Sequence, residues 1–314
     1  MSRLFNLLFI LIIISGCSLN KNSKFWTATQ EIKIEKNFKR ILKTEASLGQ
    51  ELNPNLGIKF NSQPEKISYL KYQTNNFGRL NFDGNLKKIS RYKFQKIKKF
   101  NEYEPDISFN KKNLIFFDNK GAILKFNDAS KLIWKKNYYT KNEKKLNPIL
   151  QFASNDKYLV VADNIARYFM LDLKTGNLIW TKSNLAPFNS QIKIYKDMFF
   201  IVDFSNTLRC FSLKDGSELW KISTDNSLIR SKKKLSIAIY EDTLYFNNSL
   251  GDITAVSISN KEFLWQLPTQ SSLIYEAAFS LETSDIIVDK ESLYLSNNKN
   301  QFFSIDIKSG SFNW

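Results

Sequence analysis

The sequence predicts an all-β protein on three observations: a recurring Gly-x-x-x-Trp spacing, apolar runs of four to six residues broken by polar turns, and tryptophans 40–49 residues apart. The spacing is clearest in "MLDLKTGNLIW" (170–180), "CFSLKDGSELW" (210–220) and "SIDIKSGSFNW" (304–314), where Gly176, Gly216 and Gly310 precede Trp180, Trp220 and Trp314. Two looser copies, "KFNDASKLIW" (125–134) and "AVSISNKEFLW" (255–265), end on Trp134 and Trp265. These five tryptophans are separated by 46, 40, 45 and 49 residues.

Residues 191–222 show what one repeat is. "IKI", "MFFIV", "LRCFSL" and "ELWKI" read as strands, and "YKD", "DFSN" and "KDG" read as turns between them, the pattern of an antiparallel meander. The glycine supplies the positive φ that a tight hairpin needs. Asp172 and Asp306, each eight residues before the Trp, can accept hydrogen bonds from turn amides. The Trp then enters the last strand, where its surface can wedge between neighbouring sheets. A lone four-stranded sheet cannot bury both faces, and packing copies radially does so. The expected architecture is therefore a β-propeller of four-stranded antiparallel blades, against a β-sandwich in which the Trp spacing is chance.

The chain begins "MSRLFNLLFILIIISGCSLN". A basic residue, Arg3, precedes an apolar core from Leu4 to Ile14, too short to span a bilayer, and small residues then lead to Cys17. This resembles a bacterial lipobox and implies cleavage after residue 16, a lipid on Cys17, and a mature chain of 314 − 16 = 298 residues. Ser18 resembles the pattern sorted to the outer membrane. Residues 17–60 are expected to be a lipidated tether, with a short helix at 34–42, where Ile34, Phe38, Ile41 and Leu42 share a face. Residues 61–314 are expected to be the propeller, with 67–89 a worn first blade lacking its Trp. At about 45 residues per unit, 67–314 holds five to six blades, an incomplete ring truncated at the C-terminus, or else a small open propeller.

The formal net charge is +16. The basic residues are spread along the chain, so nucleic acid is not expected as a partner. The densest runs, "KFQKIKKF" (93–100) and "SKKKL" (231–235), read as solvated faces. The chain has no histidine, which removes Ser-His-Asp triads, Cys-His dyads and His-ligated metals. Glu241-Asp242 and Glu102/Glu104 sit in turn-like contexts rather than as an acid/base pair. Cys210, in "LRCFSL", is expected to be a buried small hydrophobe. No catalytic, cofactor or metal constellation emerges; a binding module does.

The Gly-x-x-x-Trp repeat preceded by "LDL", "FSL" or "IDI" resembles the pyrroloquinoline-quinone-like (PQQ-like) propeller repeat over roughly residues 105–314. The quinone enzymes of that group show an adjacent Cys-Cys pair, and the two cysteines here, Cys17 and Cys210, are far apart. A lipid-anchored, non-enzymatic propeller of this kind resembles the propeller lipoprotein of the outer-membrane β-barrel assembly machinery. The resemblance implies a scaffold on the periplasmic face of the outer membrane, with no small-molecule substrate. Its implied partner is the POTRA domains of the central barrel protein. It also implies a contact loop with an aliphatic-Arg element after a repeat Trp. "NSLIRSKK" (226–233) matches it, with Leu228 and Ile229 as apolar anchors and Arg230 as the charged group. A following acidic loop falls near "SLETSD" (280–285), pointing to Glu282 and Asp285. The alternatives are a quinone-dependent dehydrogenase-like protein and a propeller scaffold of another envelope complex.

Overall fold

Polar two-residue turns such as Lys196-Asp197 and Glu241-Asp242 reverse the chain so that consecutive strands pair, and this local rule builds every sheet. The computed structural model describes residues 91–94, 97, 107–110, 113–224, 233–269, 283–297 and 300–314. The lipobox, the 34–42 segment and the 67–89 segment lie outside them.

The described residues form five antiparallel meanders. The first holds β1 (Ser108–Asn110), β2 (Asn113–Phe117), β3 (Ile123–Phe126) and β4 (Leu132–Lys136), followed by a helix α1 (Lys141–Lys145). The second holds β5 (Leu150–Ser154), β6 (Tyr158–Asp163), β7 (Arg167–Asp172) and β8 (Leu178–Ser183). The third holds β9 (Lys193–Tyr195), β10 (Met198–Val202), β11 (Thr207–Ser212) and β12 (Glu218–Ser223). The fourth holds β13 (Ile237–Tyr240), β14 (Thr243–Asn247), β15 (Ile253–Ser257) and β16 (Glu262–Leu267). The fifth holds β17 (Ile287–Asp289), β18 (Ser292–Ser296) and β19 (Phe302–Asp306), with a bridge from Ile305 to Phe312 where a fourth strand would start. The strands predicted in 191–222 are β9 to β12.

The first strands of successive blades pack side by side, β1 on β5, β5 on β9, β9 on β13 and β13 on β17, so the described blades form an unclosed arc of a propeller. In the first four blades the second and third strands are buried on both faces, and the second strands read as nearly continuous apolar runs, "FFIV" in β10 and "LVVA" in β6. Four apolar clusters fill the four junctions between blades, one per junction. Phe199, Phe200, Phe211 and Phe246 are fully buried there, each contributing about 1.5–3 kcal/mol relative to exposure. Cys210 is buried within β11 as expected.

The Gly-Trp spacing has two physical causes. The hairpin between third and fourth strands puts its residue four before the Trp at positive φ in every blade: Ser130 (61°), Gly176 (73°), Gly216 (70°), Lys261 (61°) and Gly310 (71°). The amide of each glycine donates to a carbonyl four residues earlier, and Asp172 and Asp306 accept from the turn amides of Thr175 and of Lys308 and Ser309. The second cause lies across the junction. A Cβ on Gly176, Gly216 or Gly310 would fall 2.5–2.8 Å from the ring of Trp134, Trp180 or Trp265. Each glycine is thus the floor on which the preceding blade's indole lies.

Trp314 departs from this pattern. It is 64% exposed and packs against Phe302 with tilted rings 5.5 Å apart.

Candidate functional site

Antiparallel order puts the β1–β2 and β3–β4 type turns on one face of the arc. The second-to-third-strand turns and the connectors between blades lie on the other, called here the connector rim. The sequence-predicted contact loops are connectors, so this rim is the candidate site.

Its base is a second repeat. Asp118, Asp163, Asp203, Asn248 and Asn297 begin the turns between second and third strands. Each side chain accepts the amide of the residue two or four further on, or both, at 2.8–3.3 Å. Three residues after each comes a positive φ, at Gly121, Ala166, Asn206, Gly251 and Asn300. A short Asx side chain caps the turn amides and an αL residue closes it. The spacing of 45, 40, 45 and 49 residues tracks that of the tryptophans. This signal was present in the sequence. It is hidden because Asp alternates with Asn, and Gly with Ala and Asn.

The first connector carries α1. "TKNE" (140–143) forms a capping box: the Thr140 hydroxyl accepts from the Glu143 amide at 3.3 Å, and Glu143 accepts from the Thr140 amide at 2.7 Å. Arg167 ties this helix down, bonding Glu143 at 3.1 Å and the Tyr138 carbonyl at 3.0 Å. The Tyr139 hydroxyl donates to Asp163 at 2.5 Å. Burial pushes the Asp163 carboxyl up to about 6 despite the hydrogen bonds it accepts. Burial also lifts the Tyr139 hydroxyl well above its ordinary range, and the neighbouring Asp163 charge adds to this.

In the second connector Asn184 bonds Asp203 at 3.2 Å, and Phe188 is buried, which fixes the stem. Asp203, fully buried, also pairs with Arg209 at 2.6 Å, and Arg209 in turn pairs with Glu218. Arg209 is thus a structural cation on this rim.

Leu228, Ile229, Arg230 and Glu282 lie outside the described residues. The stems of both predicted contact loops are described, and they adjoin. The third connector leaves at Thr224, which bonds the Asn206 carbonyl through its amide at 3.1 Å and its hydroxyl at 2.9 Å. It returns at Lys233, whose carbonyl accepts from Asn189 at 3.1 Å. The fourth leaves at Thr269, whose hydroxyl donates to the Gly251 carbonyl at 2.7 Å, and returns at Thr283, bonded by Asn247 at 2.5 Å. The Ser236 hydroxyl accepts from the Ile286 amide at 2.9 Å, joining the end of one connector to the end of the next. Asp285 is half-buried on this return stem, and its carbonyl accepts from the Ser284 hydroxyl at 3.1 Å.

Two apolar residues on the rim were not anticipated. Leu146 is 61% exposed after α1, and Leu185 is 97% exposed in the second connector. Their signal was apolar identity within polar connectors, "KKLNP" and "SNLAP". Among the described residues, no group of three His, Cys, Asp or Glu could hold a metal ion.

Comparison with known proteins bears on what such a rim is for. A family profile described as outer membrane protein assembly factor BamB matches residues 119–314, or 196 of the 314. Among solved structures, BamB from Moraxella catarrhalis superposes with a TM-score of 0.56 at 15% identity, over 68% of this chain and 63% of that one. The computationally designed Ika8 protein superposes with a TM-score of 0.52 at 10% identity, over 66% of this chain and 59% of that one. This chain therefore spans less than two thirds of either structure. At such identities the likeness is one of fold. No curated protein matches the chain.

Proposed function

This chain belongs to the outer membrane protein assembly factor BamB family, and from that premise we propose that it is a non-enzymatic propeller scaffold for assembling β-barrel proteins into the outer membrane. The observation that carries the reading is the family match across the repeats. The chain works through its connector rim, where the stems of two connectors adjoin. Its partner is the central barrel protein of the assembly machinery, engaged through the POTRA domains.

The mechanism is docking. Leu228 and Ile229 fill an apolar pocket of the partner, Arg230 pairs with a carboxylate there, and Glu282 and Asp285 flank the contact. An arginine in a desolvated centre is a common hot spot. Exposed Leu146 and Leu185 extend the apolar contact along the same rim. A lipid on Cys17 holds the chain at the periplasmic face of the outer membrane, confining it with its partner and raising effective concentration without new contacts. The lack of histidine in the chain agrees with a binding role.

The test is to isolate the natively lipidated chain from detergent-solubilised envelopes and identify what accompanies it by mass spectrometry. Recovery of the barrel-assembly core protein is the expected result, and Arg230→Glu should reduce it at least about tenfold, the scale of one lost hot spot. Recovery of a different envelope complex would remove the assembly role and leave the scaffold fold standing.

A further inference from the structure

The face opposite the connector rim breaks its own repeat at one place. At the junctions closed by Gly216 and Gly310, the preceding indole lies on the glycine. Its Nε1–H donates to the carbonyl three residues earlier, Trp180 to Leu213 and Trp265 to Ile307, both at 3.0 Å. At the third-to-fourth-blade junction the equivalent residue is Lys261, with φ +61° and a full side chain. At the glycine junctions a Cβ in this position would fall 2.5–2.8 Å from the indole, so an indole cannot seat on Lys261 as it does on glycine. The Trp220 Nε1–H is buried and has no acceptor among the described residues. The Trp134 Nε1–H also has no acceptor among the described residues, and the Leu173 carbonyl at its junction accepts from Lys125 Nζ at 2.8 Å.

Beside Trp220 and the Lys261 turn lies a cavity of about 290 Å³. Met198, Leu219, Trp220 and Ile258 make its apolar walls, and Lys196 and Lys261 its cationic ones. Asp242 is the carboxylate on the wall. Hydrogen bonds from Ser259 hold it below the usual range, and Lys196 adds to this. A second groove of about 640 Å³ continues past Lys196, Met198 and Leu219 toward Lys214.

We propose that this groove, lined by Lys261 at the position where the second, third and fifth blades have glycine, binds an extended acidic–apolar peptide segment of a partner protein. A carboxylate pairs with Lys261 and Lys196, and the neighbouring apolar side chain lies against Met198, Leu219 and Trp220. Charge argues for this occupant: the cavity holds two lysines against one aspartate already bonded to serines, in a chain of net charge +16.

The test uses the full chain in detergent micelles, with fluorotryptophan in place of tryptophan, followed by fluorine NMR. Trp220→Phe assigns the Trp220 resonance. The probe is a peptide alternating glutamate with valine, beside its lysine–valine counterpart. The Trp220 resonance should move saturably with the glutamate peptide and at least about tenfold more weakly with the lysine one. Lys261→Gly should abolish the movement while the other tryptophan resonances stay in place, because Trp220 then closes onto the turn. An unmoved Trp220 resonance, equal response to both peptides, or an unchanged response in Lys261→Gly would each overturn the proposal. Arg230→Glu should leave this response intact, so failure here and failure of the rim reading are separate outcomes.

Discussion

Replacing Gly216 with alanine tests the claim that the repeat glycine is a floor for the neighbouring blade's indole. Three costs follow from the geometry. Alanine at φ +70° costs about 1 kcal/mol of left-handed strain. Its Cβ would sit 2.8 Å from Trp180 Cε3 and Cζ3, so the ring must move. Moving it gives up the 3.0 Å bond to the Leu213 carbonyl, about 1 kcal/mol, and disturbs the packing against Phe199 for a further 1–3 kcal/mol, about the cost of overpacking. Together the loss is about 3–5 kcal/mol. At about 2–4 °C per kcal/mol for a chain of this size, the melting temperature should fall by about 6–20 °C. The assay is urea unfolding followed by tryptophan fluorescence, with Lys261→Ala as the control. That position has the same backbone conformation and already carries a Cβ, so its replacement should change stability by less than about 0.5 kcal/mol. If Gly216→Ala cost only the about 1 kcal/mol of backbone strain beyond Lys261→Ala, the indole contact would be irrelevant and the spacing would reflect the turn alone.

Other outcomes follow from the connector rim. Asp203→Ala removes the turn cap and leaves Arg209 paired with Glu218 alone; it should cost about 2–4 kcal/mol in urea unfolding, from the lost cap and one lost charged hydrogen bond. Asp163 has a folded pKa of about 6, above its usual 3.8, so the group favours folding below pH 4 and that contribution is lost as pH rises through 6. Asp163→Asn keeps an acceptor for the Ile165 and Arg167 amides. It should be the more stable protein at pH 7, by up to about 3 kcal/mol, and the advantage should vanish near pH 4. Parallel denaturation of both proteins across this range reads the difference, and a pH-independent gap would refute the assignment.

The amino-acid sequence by itself determined the repeating unit. Turn chemistry and alternation act over a few residues, so "KDG" before "ELW" fixes a hairpin and its register wherever it occurs, and five copies fix a propeller. That local logic also marked Cys210 as buried and Asp172 and Asp306 as turn acceptors. The Asx repeat was equally local and written at the same period, but chemically similar residues substitute for one another there, and identity alone conceals it. What lies across a junction only the tertiary structure decided. Trp180 meets Gly216 and Trp265 meets Gly310 because radial packing brings together residues 36 and 45 positions apart, and no short-range pattern encodes that contact. For the same reason Lys261 reads in the sequence as a degenerate repeat position. In the fold it meets Trp220 across a junction, and the two line one cavity together with Lys196.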